Sequence, residues 1–273
     1  MHTQLHVTLN NGVRMPMLGF GTFKIPDGDV VIQSVKKALE SGYRHIDTAA
    51  YYKNEAGVGE GIRQSGVARS EIFLTDKVWG SDAGYENTLK AFDISLKRLG
   101  VDYLDLYLIH WPNSKNKDTW RAMEKLYHEK RVRAIGVSNF HIHHLESLLA
   151  ECEIKPMVNQ IEFHPRLLQT PLLEYCKKHQ IQYEAYSPLM QGKIFNIPLL
   201  AEMAEKYGRT MAQIVLRWNI QMGVVSIPKS THPERILENM GIFDFEISEE
   251  DMQAICSLDK GQRVGHDPDR RVK

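Results

Sequence analysis

Asp47, Lys77 and His110 stand at the ends of three consecutive apolar runs of this 273-residue chain, and Tyr52 follows Asp47 by five positions. A free phenol has a pKa near ~10 and is a poor acid at neutral pH. A neighbouring ammonium favours the phenolate, so we expect Lys77 to lower the pKa of Tyr52 and ease release of its proton. Asp47 would hold Lys77, because two charges at a partly buried strand end must pair. His110 would orient a substrate oxygen or share the proton.

Tyr51 is a second candidate for the acid, because spacing alone does not choose between two adjacent tyrosines. Each candidate residue by itself also has an ordinary explanation. Asp47 could cap a helix, Lys77 could be a solvated strand end, and His110 could be a hydrogen-bonded core histidine. The case for a site rests on their common position, because neighbouring strands bring their ends together.

Short apolar runs alternate with helical patterns along the chain and predict how these side chains are positioned. A hairpin comes first, in LHVTLNNGVRMPML, where Asn11 and Gly12 form the turn signal. Eight strand-then-helix units follow, and strands that are apolar on both faces suit a buried parallel sheet. The predicted strands are residues 17–21, 43–47, 72–76, 104–110, 132–138, 157–162, 181–187 and 224–228.

Eight such units predict a (β/α)8 TIM barrel, an α/β fold with an N-terminal hairpin and extra helices, as a single domain over residues 1–273. The alternative is an open doubly wound sheet, which would carry a glycine-rich fingerprint after its first strand. GFGTFK lacks the third glycine, and GVGEG lies inside a predicted helix. The predicted helices are residues 28–41, 55–64, 85–99, 119–129, 141–150, 171–179, 198–207, 210–221, 233–240 and 249–257.

Composition excludes several classes of protein. The chain has 34 basic and 34 acidic residues, so its overall charge attracts neither nucleic acid nor an anionic membrane. No signal peptide is recognisable, and no apolar run approaches the ~20 residues of a membrane helix, so we expect a cytoplasmic protein. Cys152, Cys176 and Cys256 are odd in number and widely spaced, which predicts reduced thiols rather than a disulfide scaffold.

Polar side chains also end the remaining predicted strands, at the face where barrels of this kind carry their chemistry. A random arrangement would scatter some of these side chains to the opposite face. We therefore expect one functional site at the carboxyl ends of the strands. The additional residues at this face are Ser138, Asn139, Gln160, Glu162, Tyr186, Ser187, Lys229 and Ser230.

Seven motifs in a fixed order resemble those of the aldo-keto reductases, over nearly the full length of the chain. The resemblance is greatest to short-looped bacterial members, which include 2,5-diketo-D-gluconate reductases and methylglyoxal or glyoxal reductases. One motif such as IPKS would be weak evidence, whereas the ordered set is specific. The motifs are GYRHIDTAAYYKNE, LTDKVW, DLYLIHWP, GVSNF, NQIEFHP, YSPL and IPKSTHPERILEN.

The resemblance implies a catalytic tetrad of Asp47, Tyr52, Lys77 and His110, and it selects Tyr52 over Tyr51 as the acid. It also implies NADPH as the cofactor. Residues of three kinds would hold it: amide ligands for the nicotinamide, an aromatic platform for its ring, and a basic grip on the 2′-phosphate. The implied cofactor residues are Gly21, Thr22, Asp47, Ser138, Asn139, Gln160, Tyr186, Ser187, Leu189, Lys229, Ser230, Arg235, Glu238 and Asn239.

The implied reaction transfers hydride from C4 of NADPH to a carbonyl carbon, while Tyr52 gives a proton to the developing alkoxide. No metal is needed. Phe23, Trp79 and Trp111 would form an apolar wall beside Tyr52 and His110. Short loops around that wall predict an open pocket for small aldehydes, dicarbonyls and sugar-derived ketones. A monomer is the default expectation for such proteins.

Two features depart from this scheme. Asp76 precedes Lys77, and side-chain alternation predicts that it points to the helical layer, where a carboxylate is costly unless paired or wetted. The run HIHH, from His141 to His144, resembles a metal cluster, but no carboxylate partner is evident in the sequence. We therefore interpret the run as the start of a surface helix.

Two other functions compete with the reductase. The first is a cofactor-binding sensor of the same fold, which the full tetrad and the lack of an added interaction segment disfavour. The second is a metal-dependent barrel hydrolase that uses His110, Glu162 and His164. That class would need an H-x-H motif on an early strand, and none of the early predicted strands contains one.

Overall fold

A two-stranded antiparallel hairpin precedes an eight-stranded parallel sheet in the computed structural model, which describes residues 5–270. The hairpin turns at Asn11 and Gly12, as predicted, and Gly12 has the positive φ of 86° that such turns require. The sheet runs in chain order from β3 to β10. The strands are β1 His6–Thr8, β2 Arg14–Pro16, β3 Phe20–Gly21, β4 His45–Asp47, β5 Phe73–Val78, β6 Leu104–Ile109, β7 Val132–Ser138, β8 Val158–Glu162, β9 Gln182–Tyr186 and β10 Val225–Ser226.

The first and last strands of this sheet meet and close it into a barrel. The Gly19 N–H donates to the Ser226 carbonyl at 2.8 Å, and the Ser226 N–H donates to the Met17 carbonyl at 2.9 Å. The Gly21 N–H adds a third bond, to the Pro228 carbonyl at 3.0 Å. Closure leaves no free sheet edge and brings the carboxyl ends of all eight strands to one mouth.

Ten α-helices are found among residues 5–270, and none is long and apolar enough to span a membrane. Most predicted boundaries hold within one or two residues. The helices are α1 Asp29–Glu40, α2 Glu55–Ser65, α3 Tyr85–Leu99, α4 Asn116–His128, α5 Ile142–Leu149, α6 Thr170–Lys178, α7 Pro198–Tyr207, α8 Met211–Gln221, α9 Pro233–Met240 and α10 Glu249–Cys256.

Four elements differ from the sequence prediction. Strand β5 continues to Val78, so Lys77 lies within the strand and not after it. Helix α4 begins at Asn116, three residues early, because its polar first turn carries no apolar spacing. Strands β3 and β10 are each only two residues long, and Pro228, which lacks an N–H, cannot extend the ladder of β10.

Helix α2 packs against the end of α3 through a glycine that leaves no room for a side chain. A Cβ at Gly59 would lie 2.1 Å from the carbonyl oxygen of Leu99, a backbone atom that cannot move alone. The contact fixes α2, which begins three residues after Tyr52. The loop that carries the candidate acid is therefore held from the helical layer.

This close approach predicts a stability difference between two glycine substitutions. Gly59→Ala should lower the free energy of unfolding by about 1–3 kcal/mol, because helix α2 must shift away from Leu99. Gly80→Ala is the matched control, since a Cβ there meets nothing within 4 Å, and it should change stability by less than about 0.5 kcal/mol. Urea unfolding measures both, and equal stability of the two variants would contradict the packing described.

Candidate active site

A buried ion pair lies at the mouth of the barrel. The Lys77 ammonium donates to Asp47 Oδ1 at 2.6 Å, and neither side chain is more than 2% exposed. Strands β4 and β5 are adjacent, so the two side chains meet as the strand-end argument predicted. Lys77 also donates to the Thr48 carbonyl at 2.8 Å and to the Tyr52 hydroxyl at 3.4 Å. All three ammonium protons therefore have an acceptor.

The loop that carries Tyr52 is fixed by a buried asparagine that sequence reasoning missed. The Asn54 amide donates to the carbonyls of Thr22 and Ile25, at 3.0 and 2.9 Å, and its oxygen accepts from the Thr48 hydroxyl at 3.0 Å. Asn54 thus ties the end of β4 to the loop after β3. The sequence gives little indication of this role for Asn54, because an asparagine directly before a helix is normally read as a helix cap.

The prediction that Lys77 lowers the pKa of Tyr52 was wrong in its net direction. Burial raises the pKa of Tyr52 to about 12, and the attraction of Lys77 offsets only part of this rise. The phenol is therefore protonated at neutral pH. For Lys77 itself, burial lowers the pKa, but Asp47 and Tyr52 more than compensate and leave it above its ordinary value. The pair supplies a fixed positive charge beside a protonated phenol.

The two adjacent tyrosines occupy different surroundings. Tyr52 receives the hydrogen bond from Lys77, whereas the exposed Tyr51 stacks on Trp79 with ring centroids 4.0 Å apart and an interplanar angle of 22°. The geometry therefore favours Tyr52 as the acid, in agreement with the resemblance. Tyr51 belongs to the wall of the opening, which the sequence did not indicate.

Aromatic rings surround the candidate acid at the mouth. The His110 ring meets Tyr52 edge to face at a centroid distance of 5.6 Å, and Trp79 meets His110 at 5.2 Å. Phe23 leans on Tyr52 at 5.0 Å and is itself 44% exposed. Trp111 follows His110 and is half-buried. Successive ring contacts thus link four of these residues into one aromatic rim: Phe23, Tyr52, His110 and Trp79.

Beneath the ion pair lies a buried polar chain that sequence reasoning only partly anticipated. The Gln160 amide donates to Asp47 Oδ2 at 2.8 Å and to Glu184 Oε2 at 3.0 Å. Burial, and then Asp47, raise the pKa of Glu184 to about 8, while burial and Lys77 lower the pKa of His45 to about 3. At neutral pH both are mostly uncharged. In the sequence, Glu184 and His45 can be recognised only as single titratable residues within otherwise apolar strands.

Several of the predicted nicotinamide ligands lie together. The Asn139 amide donates to the His110 carbonyl at 3.0 Å and to the Ser138 hydroxyl at 3.1 Å, and its oxygen accepts from the Tyr186 hydroxyl at 2.7 Å. Asn139 adopts a left-handed φ of 65°, which an asparagine tolerates better than most residues. The Gln160 amide donates inside the barrel, to Asp47 and to Glu184.

Four other predicted cofactor residues lie near the place where the barrel closes or near the end of β9. Thr22 donates through its N–H and its hydroxyl to the Asp47 carbonyl, both at 3.0 Å, and Gly21 lies against the Ile227 carbonyl. Ser187 has a positive φ of 50°, and Leu189 is half-buried near the end of β9.

A basic region lies beyond β10. Burial and the nearby Lys24 lower the pKa of Lys229, so two ammonium groups stand close together. The Ser230 hydroxyl accepts from the His232 N–H at 3.1 Å, and the exposed Arg235 lies in the first turn of α9. Lys24 was not predicted as a cofactor residue, because the sequence does not distinguish it from any other lysine in a loop.

The last two predicted cofactor residues lie further along α9. The Glu238 carboxylate accepts from the Thr210 hydroxyl at 2.8 Å. Asn239 is buried, and its side-chain oxygen has no hydrogen-bond partner among residues 5–270. A buried acceptor without a donor is costly, so it fits a group that a ligand would supply.

Asp76 points away from Lys77 into the helical layer, as alternation predicted. It is fully buried beside Glu55, and neither of its carboxyl oxygens has a hydrogen-bond partner in the described part of the chain. Ser95 donates instead to Glu55 at 2.6 Å, and Arg98 does so at 2.8 Å. Burial, and then Glu55, raise the pKa of Asp76 to about 8.

The histidine run opens helix α5, as the sequence interpretation predicted, and it also has a carboxylate partner that was not evident in the sequence. Asp269 lies 128 positions away in the chain, and its Oδ2 is 2.9 Å from His141 Nδ1. No local pattern could indicate a contact of that separation.

The raised pKa of Asp76 predicts how stability depends on pH. The folded protein holds this proton up to about pH 8, whereas the unfolded chain releases it near pH ~4. Stability should therefore fall as the pH rises through this window. Asp76→Asn removes that contribution, so the variant should gain stability relative to wild type between pH 5 and pH 8. Urea unfolding at pH 5 and at pH 8 measures the free energy of unfolding of wild type, of Asp76→Asn and of the control Asp102→Asn, whose side chain is exposed. If stability changes equally with pH in all three proteins, the raised pKa of Asp76 is contradicted.

Comparisons with known proteins agree with this architecture. The model of the aldo/keto reductase family matches residues 17–260. Glyoxal reductase of Bacillus subtilis (strain 168) is 60% identical over 264 residues, covering 96% of each chain. The crystal structure of MGS-M4, an aldo-keto reductase from a Medee basin deep-sea metagenome library, has a TM-score of 0.94 at 48% identity, covering 96% of this chain and 98% of that one.

A Bombyx mori aldo-keto reductase, solved in complex with NADP, has a TM-score of 0.93 at 35% identity and covers 99% of this chain and 98% of that one. The predicted barrel and the predicted family are both confirmed by these matches. The protein therefore belongs to the aldo/keto reductase family.

Proposed function

We propose that the protein reduces aldehydes and ketones to alcohols with NADPH, and that Tyr52 donates the proton. The observation that carries the proposal is the buried Lys77 ammonium, which is held by Asp47 at 2.6 Å and donates to the Tyr52 hydroxyl at 3.4 Å. This arrangement places a protonated phenol and a fixed positive charge at an opening lined by aromatic rings. A carbonyl oxygen that gains negative charge during reduction needs both a proton donor and a nearby positive charge.

The residues at the barrel mouth fit a dinucleotide cofactor. Asn139 and Gln160 offer amide groups, and Tyr186 offers a half-buried ring whose orientation is fixed by its bond to Asn139. Lys229 and the neighbouring Lys24 form a cationic point suited to phosphate. The relative crystallised with NADP supports this choice of cofactor. Bound NADPH would supply the hydride.

Tyr52 and His110 are the proposed donors to the carbonyl oxygen. As negative charge develops there, Tyr52 releases its proton and becomes a phenolate. Lys77 stabilises that phenolate, because the ammonium is already in place and need not move. Asp47 keeps Lys77 in position, and Gln160 keeps Asp47 in position. The aromatic rim keeps water from the same oxygen.

The proposed substrates are small aldehydes, dicarbonyls and sugar-derived ketones. Phe23 and Tyr51 expose their rings at the opening, and Tyr51 stacks on the half-buried Trp79, which suits short carbonyl compounds that lack charge. The similarity to a glyoxal reductase supports dicarbonyls within this class. The loop between β6 and α4 is six residues long, from His110 to Lys115, so no long lid arises there.

Tyr52→Phe tests the proton donor. The variant should lose about 10²–10⁴-fold in the rate of carbonyl reduction, the usual contribution of a positioned acid. Tyr51→Phe is the matched control and should retain activity within a few-fold, because Tyr51 stacks on Trp79. NADPH consumption with methylglyoxal and a nitrobenzaldehyde measures both, and NADPH binding should persist in each. Full activity in Tyr52→Phe would disprove its role. A wild-type protein that binds NADPH but reduces no carbonyl would favour the sensor.

Lys229→Ala tests the preference for NADPH. Loss of a charged hydrogen-bonding partner should weaken NADPH binding by about 10- to 100-fold. NADH lacks the 2′-phosphate, so its affinity should stay unchanged. Lys90→Ala, on the exposed face of α3, controls for the loss of one positive charge. Fluorescence titration measures the affinities, and equal weakening of both cofactors would show that Lys229 does not bind the phosphate.

A further inference from the structure

Three imidazoles and one carboxylate from distant parts of the chain converge outside the barrel mouth. We call His141, His143, His144 and Asp269 the His/Asp cluster. Asp269 Oδ2 lies 2.9 Å from His141 Nδ1, and Asp269 Oδ1 lies 3.3 Å from His143 Nε2 and 3.8 Å from His144 Nε2. One atom from each of the four residues lies within 4.8 Å of all the others.

The cluster is partly enclosed and is not a set of freely solvated side chains. His141 is 18% exposed and His144 is 14% exposed, while His143 covers His144 at a centroid distance of 3.9 Å. The backbone N–H of His141 donates to His144 Nδ1 at 3.1 Å, which fixes the second ring. Imidazoles that are already ordered lose little conformational entropy on binding a ligand.

We propose that the His/Asp cluster binds one divalent transition-metal ion, of which zinc is the representative, and thereby fastens the C-terminal segment to helix α5. Three histidine nitrogens and a carboxylate oxygen are ligands that zinc accepts, and four is its usual coordination number. Ligands around a tetrahedral zinc ion lie about 3.3–3.5 Å apart at ordinary bond lengths. The four atoms lie within 4.8 Å of one another, so the most widely spaced of them need to close by up to roughly 1.5 Å.

The hydrogen bonds of the His141 and His144 rings determine which protons and which bonds a bound metal ion would displace. Arg263 can only donate, and it contacts His141 Nε2 at 3.1 Å, so the proton of the neutral ring lies on Nδ1. The backbone donor to His144 likewise leaves that ring's proton on Nε2. These protons now face Asp269, so a metal bound there requires each neutral ring to carry its proton on the other nitrogen. The bond from Arg263 to His141 and the bond from the His141 N–H to His144 must then be released. Arg263 keeps its second bond, to Gln169 at 2.9 Å.

The consequence of metal binding would extend to the barrel mouth through the C-terminal segment. Glu162, at the end of β8, accepts from the N–H groups of Val264 and Gly265. A Cβ at Gly265 would lie 3.8 Å from the Tyr186 hydroxyl, so the segment passes beside the proposed nicotinamide platform. Fastening Asp269 would therefore hold residues 261–270 against that platform.

Calorimetric titration of the protein with zinc, without an affinity tag, tests the proposal. We expect one zinc ion per chain, and at least about tenfold weaker binding in both His143→Ala and Asp269→Asn. Both side chains are exposed enough for these variants to fold. Magnesium should not compete, because it prefers oxygen ligands. Hydrogen exchange of residues 261–270 should slow with zinc in wild type and not in His143→Ala.

His128→Ala provides the matched control. His128 Nε2 faces Glu153 at 3.3 Å on the protein surface, a single histidine–carboxylate pair without further ligands. Its substitution should leave zinc affinity unchanged. Zinc affinity that is as high in Asp269→Asn as in wild type, or lost equally in His128→Ala, would overturn the proposal, as would the absence of zinc binding.

Discussion

The buried ion pair between Asp47 and Lys77 is the interaction on which the mouth of the barrel depends. Removing either partner would leave an uncompensated buried charge, at a cost of about 3–5 kcal/mol. Two titratable side chains near the pair, Glu184 and His45, add little net charge at physiological pH. Glu184 has a pKa raised to about 8 and His45 a pKa lowered to about 3, so both are mostly neutral at physiological pH. The charged groups are then Asp47 and Lys77. Burial raises the pKa of Asp47, and the charge of Lys77 with its hydrogen bond and that of Gln160 opposes this rise. Tyr52 lies next to the ammonium.

The helical layer holds this site as firmly as the strands do. Helix α2 starts directly after the Tyr52 loop, and Gly59 locks it against the carbonyl of Leu99. Glu55, in the first turn of α2, accepts hydrogen bonds from Ser95 and Arg98 of α3. The candidate acid is thus positioned from below by Lys77 and from the side by two packed helices. Such double support is what a preorganised donor requires.

Much of this arrangement was predictable, because strand and helix periods and strand-end polarity are local signals. They indicated eight units and brought Asp47 and Lys77 together correctly. Quantities that depend on the complete environment could not be predicted. The net pKa of Tyr52 reflects burial that only the folded barrel creates. The partnership of Asp269 with His141 joins segments 128 positions apart. The buried role of Glu184 requires the register of β9 against β8.

The most direct test of the account is a double-mutant cycle on the rate of NADPH-dependent carbonyl reduction, with Asp47→Asn, Lys77→Met and the combined variant. If the ion pair acts as one unit on Tyr52, the double variant should be no slower than the slower single variant, because the second substitution removes a partner that is already useless. NADPH affinity, measured in parallel, would confirm that each protein is folded. Losses that multiply in the double variant would contradict the account, since Asp47 and Lys77 would then act independently.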